Sequence, residues 1–145
     1  MILISPYAKK LPGTDKQNPK NYPFWRELIQ QIREPIIQVG VDGEDQLVSD
    51  FRKNLPIAEL RQLLRECRTW ISCDSFFQHL GWDEGVPGIV LWSVSDPLIF
   101  GHPENVNLLQ SRDNLAVNQF LWWNSVEHDP SKFVSPKIVL EHLYP

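Results

Sequence analysis

Ile2, Leu3 and Ile4 form an unbroken apolar run that Ser5 and Pro6 stop, the pattern of a short buried strand. Tyr7 to Tyr22 has no apolar period and is rich in Lys, Pro, Gly and Asn, so it reads as a long loop. Loops of that length inside small folds usually carry function. From Pro23 to Arg33 the apolar residues Phe24, Leu28 and Ile32 recur at helical spacing, with Pro23 in the first turn and Pro35 as the stop. Ile36 to Gly40 is a β-branched run closed by glycine, which predicts a second strand. Val41-Asp42-Gly43 then reads as a turn and Glu44 to Arg52 as a short helix.

A longer helix opens at Leu55-Pro56, with Ile57, Leu60, Leu64 and Cys67 on one face and Glu59, Arg61, Arg65 and Glu66 elsewhere. Trp70 to Cys73 predicts a strand. Asp74-Ser75 starts another helix, where Ser75 and Gln78 have the spacing of a capping box. Gly88 to Trp92 and Val106 to Leu109 predict two further strands. Residues 110–134 are irregular and aromatic, and Ser135-Pro136 opens a closing helix over 135–143. Strands alternating with helices predict an α/β fold: one Rossmann-like domain spanning 1–145, with a parallel sheet flanked by helices on both faces.

Composition adds exclusions. With 42% hydrophobic and 22% charged residues among 145, a packed core is expected. The formal net charge of −4 argues against general nucleic-acid binding, which needs clustered excess Lys and Arg. No apolar run approaches the ~20 residues of a membrane span, and Met1 to Pro6 lacks the basic stretch of a signal peptide. Cys67 and Cys73 have no metal-type spacing and are expected reduced and buried, so a cytoplasmic location is expected. His102, His128 and His142 have no partner at ligand spacing, so no metal site is expected. GxSxG, P-loop and GxGxxG motifs are absent. A receiver-type phosphoacceptor needs paired acids after the first strand, where Ser5-Pro6-Tyr7 offers none.

In open parallel sheets, ligands bind beyond the carboxyl ends of the strands. Four stretches there are polar: Ser5 to Lys10, Gly40 to Glu44, Asp74 to His79, and Ser93 to Asp96. A helix starting at Ser75 leaves the amides of Phe76 and Phe77 free for an anion, with Asp74 beside them and His79 on the same helix side. The same residues also read as an ordinary capped helix start. Lys9, Lys10 and Lys20 suit a diphosphate, or form a solvated basic loop. Asp42 and Glu44 suit ribose or base hydroxyls, or an ordinary turn. Ser5, Lys9, Ser93 and Asp96 are candidates for the rim. Trp25, Trp70 and Trp92 read as packing residues. Trp122 and Trp123 also read as core, with an interface or a stacking platform as the alternatives.

Several of these segments together resemble a known family. Leu55 to Cys67 (LPIAELRQLLREC), a short strand, Asp74-Ser75 with His79-Leu80, Gly85 to Trp92 (GVPGIVLW) and the turn Ser95-Asp96-Pro97 resemble the donor-binding half of the heptosyltransferases (glycosyltransferase family nine, GT-B fold). That family shows a leucine-rich helix, a strand, an Asp-Ser/Thr-Gly-x-x-His motif, then a Gly-x-Pro strand and a Thr-Asp-Pro-like turn. Ser5-Pro6 and Lys20 to Trp25 (KNYPFW) are similar to its first donor-domain strand and Lys-x-Trp-Pro helix start. The resemblance covers roughly residues 1–110 plus the closing helix.

It implies a nucleotide-diphosphate sugar as substrate, with no further cofactor. Lys20 would contact the donor phosphates, Asp42 or Glu44 the nucleoside, and Asp74, Ser75 and His79 the diphosphate-sugar. Gly40 and Phe76 flank those positions. The family's catalytic base lies in the other half, so a protein partner or a second copy would supply the acceptor side of a glycosyltransferase. Phe76 departs from the pattern, because it stands where the family has a glycine that lets a diphosphate come close. The alternative is a non-catalytic ligand-binding or interaction module on the same fold.

Overall fold

A computed structural model describes residues 1–120 and 123–145. Six parallel strands form one sheet in the order β3-β2-β1-β4-β5-β6. They are β1 (Ile2–Ser5), β2 (Ile36–Gly40), β3 (Phe51–Lys53), β4 (Thr69–Cys73), β5 (Ile89–Leu91) and β6 (Val106–Leu108). The predicted α/β class and parallel sheet are found. β1 is central, with Leu3 in register with Ile37 on one side and Trp70 on the other. The chain moves outward through β2 and β3, then crosses back past β1 to β4. Strand order therefore reverses between β1 and β4, where open α/β sheets form a crevice.

Period-2 alternation divides the core into two faces. Ile2, Ile4, Ile71, Ile89 and Leu91 pack with α1 (Trp25–Ile29) and α5 (Pro136–Leu143). Leu3, Ile37, Val39, Trp70, Val90 and Trp92 pack with α2 (Ile57–Glu66) and α3 (Phe76–Asp83). Trp25, Trp70 and Trp92 are all buried, as expected from their segments.

Some elements differ from expectation. Residues 44–52 form no helix. The buried Gln38 side chain donates to the Asp45 carbonyl (2.8 Å) and accepts from the Leu47 amide (2.8 Å), taking up groups a helix would need. The segment ends as β3, which the sequence reading lacks. In α2 the buried residues are Leu63 and Leu64, whereas Ile57 is 52% exposed, so its inward face is rotated from the predicted one. The first helix is shorter than predicted, and a single turn, α4 (Pro97–Phe100), follows Asp96, whose carboxylate accepts from the Leu98 amide. Both cysteines are free thiols. Burial pushes Cys67 up to about 11 and Cys73, within β4, up to about 12. No helix among the described residues is long and apolar enough to cross a membrane.

At the amino edge of the sheet, Glu34 accepts two hydrogen bonds from Arg68 (2.6 and 2.5 Å) and one from the Tyr144 hydroxyl (3.1 Å). This joins the approaches to β2 and β4 with the end of α5. The Arg68 hydrogen bonds hold the Glu34 carboxyl down at about 2, against an ordinary 4.5. A depressed carboxyl stabilises the fold above its unfolded value and stops doing so as pH falls toward 2. Because the pair is partly solvated, Glu34→Gln is expected to cost about 1 kcal/mol at pH 7. Urea midpoints of the variant and the parent should converge as pH drops from 5 toward 2. Equal separation at both ends would refute this coupling.

Candidate functional site

A cavity of about 750 Å³ lies beyond the carboxyl ends of β1, β2 and β4, at the reversal of strand order. Ser5, Gly40 and Asp74 reach it directly from those strands. The first loop adds Lys9, Lys10 and Lys20, and the start of α3 adds Ser75 and Phe76. The loop is held in place by its own side chains. Asn21 accepts from the Ala8 amide (2.8 Å), Asn18 donates to the Lys9 carbonyl (2.9 Å), and Asn18 accepts from the Lys20 amide (3.0 Å). Asn18 and Asn21 are both buried, which explains how a polar segment without periodicity stays in one conformation.

Asp74 organises the deep end. One carboxylate oxygen accepts from Ser95 Oγ (2.7 Å) and lies 3.0 Å from Lys20 Nζ; the other accepts from Gln78 Nε2 (2.6 Å). Gln78 is thereby committed to Asp74, and Ser75, though it is the N-cap residue of α3, makes no side-chain cap bond. The predicted capping box does not form: Gln78 donates its Nε2 to the charged Asp74 acceptor, and its Oε1, the atom that would accept from the Ser75 amide, has no partner among the described residues. Ser75 Oγ is consequently buried without a hydrogen-bond partner, on the lining of the cavity. Lys20 is 18% exposed and keeps two of its three N–H donors beyond the bond to Asp74. Its ammonium lies 4.9 Å from the centre of the Trp123 ring.

The other end, over β2, is apolar with two acids. Val39, Val41, Leu55, Ile57, Leu60 and Phe77 line it. The Glu44 carboxylate folds back to accept from the Val41 amide (2.6 Å), and burial raises its proton affinity. A Cβ at Gly40 would overlap Glu44 Oε1, so any larger residue there would push the carboxylate off the Val41 amide. Gly43 takes φ +89° in the turn, and Asp42 binds Asn54 Nδ2 (2.9 Å). The lining lysines (Lys9, Lys10, Lys20) are matched by Asp42, Glu44 and Asp74. Such a cavity has no net pull on a bare anion. It suits a ligand with an anionic part and a hydroxyl-bearing, flat apolar part.

Not every candidate meets here. Ser93 is buried and donates to the Pro19 carbonyl (2.9 Å), bracing the loop that carries Lys20. Asp96 pairs with Arg112 through both carboxylate oxygens (3.1 and 2.8 Å), whose hydrogen bonds lower its pKa, and neither residue lines the cavity. His79 is not among the lining residues either. Its Nδ1 lies 2.7 Å from His102 Nε2, and His102 stacks on Trp82 at 4.4 Å. Partial burial, then His102, lowers the His79 pKa. Phe76 is 58% exposed and lines the cavity, which stays open beside it. Trp123 belongs to the wall and not to the core expected for it, while Trp122 lies outside the described residues. Nothing in local periodicity signals that Trp123 reaches a loop more than a hundred residues earlier. Among the described residues no three His, Cys, Asp or Glu side chains gather as metal ligands.

No protein-family model matches the sequence, and no curated protein matches it. Among solved structures the fold is similar to that of E. coli ADP-heptose lps heptosyltransferase II. The TM-score is 0.65 at 16% identity, covering 99% of this chain and 45% of that one. It is also similar to TibC, a dodecameric iron-containing heptosyltransferase solved in complex with ADP-D-beta-D-heptose. There the TM-score is 0.57 at 15% identity, covering 93% of this chain and 35% of that one. The chain thus has the fold of one heptosyltransferase half and spans less than half the length of either protein. The resemblance seen in the sequence holds at the level of the fold.

Proposed function

We propose that this chain binds a nucleotide-diphosphate sugar in the cavity between β1, β2 and β4, as the donor half of a glycosyltransferase. The carrying observation is the unpartnered Ser75 hydroxyl beside the Asp74-held ammonium of Lys20, at the start of an eight-residue helix. Free helix amides and a fixed cation together suit a phosphate. In this reading Lys20, Ser75 and the α3 amides hold the diphosphate, and the apolar end with Asp42 and Glu44 takes the nucleoside. Asp74 positions Lys20 and contacts no phosphate. On transfer, charge growing on the nucleoside diphosphate leaving group would be stabilised by Lys20 and those amides. In this reading the acceptor side and its base lie outside these residues.

Calorimetry with a panel of nucleotide sugars tests the assignment. Saturable binding to one of them is expected, and Lys20→Met should weaken it at least tenfold, the worth of one charge-assisted contact (~1.4 kcal/mol). A folded chain that binds none would defeat the proposal. The second reading, a non-catalytic module, is favoured by Phe76 standing where the family has glycine. It is supported if ligand binds but no transfer occurs with any complementary half.

A further inference from the structure

We infer that Trp123 is the platform on which the sugar of the donor packs. The inference rests on the nucleotide-sugar reading above and goes beyond it by giving this residue a specificity role. Three observations carry it. First, the Trp123 indole belongs to the cavity lining, and its face lies 4.9 Å from Lys20 Nζ, the cation assigned to the phosphates. An indole face beside a phosphate-binding ammonium is next to whatever the phosphate carries.

Second, the cavity has a separate apolar end over β2, built from Val39, Val41, Leu55, Ile57 and Leu60, which accommodates a flat base. With the base assigned there and the phosphates to Lys20 and Ser75, the sugar is the part of the donor left for Trp123 in this reading. A pyranose offers an apolar C–H face to an aromatic ring and hydroxyls to polar neighbours, the combination amphipathic aromatic sites recognise.

Third, the segment that carries the ring is held. The segment carrying it is bonded to the first loop on both sides of Lys20: Asn124 Nδ2 donates to the Pro12 carbonyl (2.9 Å), Lys16 pairs with Glu127 (2.8 Å), and His128 Nε2 lies 2.8 Å from the Asn21 carbonyl. A segment anchored before binding has less backbone freedom to lose when a ligand arrives.

The test compares one nucleotide sugar with its parent nucleoside diphosphate, measured calorimetrically on the parent chain, Trp123→Ala and Trp123→Phe. Trp123→Ala should weaken the nucleotide sugar roughly tenfold and the nucleoside diphosphate less than about twofold. Trp123→Phe should recover most of the loss, which a mere packing defect would not predict. Equal weakening of both ligands would overturn the inference, since Trp123 would then serve only Lys20 or the base. No weakening of either would also overturn it. If the parent chain binds neither ligand, the nucleotide-sugar reading itself has failed and takes this role with it. A parent chain that binds the nucleoside diphosphate and gains nothing from the sugar defeats the platform alone.

Discussion

Trp70→Ala is expected to lower stability by about 3–5 kcal/mol, the range for emptying a buried large aromatic site. Trp70 is fully buried in β4 and meets Phe77 edge-to-face at 5.6 Å. Its indole N–H donates to the Val86 carbonyl (2.8 Å). Two glycines make room for it: a Cβ at Gly81 would lie 2.6 Å from the ring, and one at Gly88 would overlap it outright. Backbone at both glycines abuts the ring, so the hole closes only if Phe77 and its other neighbours move, and a cavity term remains. The Val86 carbonyl also loses its partner. For a chain of this size the thermal midpoint should fall by roughly 10–15 °C. Calorimetry or a urea titration measures this, and a loss below about 1 kcal/mol would show that the ring is not the keystone of that face. Gly88→Ala should be destabilising in the parent and better tolerated in Trp70→Ala, since the two share one volume.

Asp74→Ala should cost about 3 kcal/mol and remove ligand binding together. The carboxylate is 5% exposed and is the common acceptor for Lys20, Ser95 and Gln78, so its removal strands an ammonium and two neutral donors in a poorly hydrated place. Adding Lys20→Met to that variant removes the stranded charge. The double variant is expected to be more stable than Asp74→Ala while still failing to bind nucleotide. Denaturation midpoints of the four proteins in the cycle decide this. Additive losses from the two substitutions would mean that the ion pair is not coupled. Intact nucleotide binding in Asp74→Ala would mean that Lys20 needs no anchor.

Much of the architecture was legible in the sequence because one period dominates it. Short apolar stretches such as Ile2 to Ile4 and Ile89 to Trp92 suit a strand buried on both faces, and parallel strands must be buried so. What failed to show was decided by side chains acting at a distance. β3 is obscured because Gln38, a single buried amide, settles the course of residues 45–47. The Ser75–Gln78 spacing is a genuine capping signal, yet the Asp74 carboxylate draws the Gln78 Nε2 donor and sets the orientation of that side chain. Of the candidate site, Lys20, Gly40, Asp42, Glu44, Asp74, Ser75 and Phe76 come together around the cavity because strand ends converge. His79 is drawn to His102 and Asp96 to Arg112, partners that no local spacing indicates.

The bonds fastening the Trp123 segment to the first loop join residues 107 to 112 apart in the chain. Closing so long a loop gains nothing until both ends exist, and during synthesis that is after all six strands have been made. A nascent chain thus carries every strand of the sheet before the residues that wall one side of its ligand crevice. The wall of this site is completed by residues 123–128, which are synthesised later than any strand that frames it.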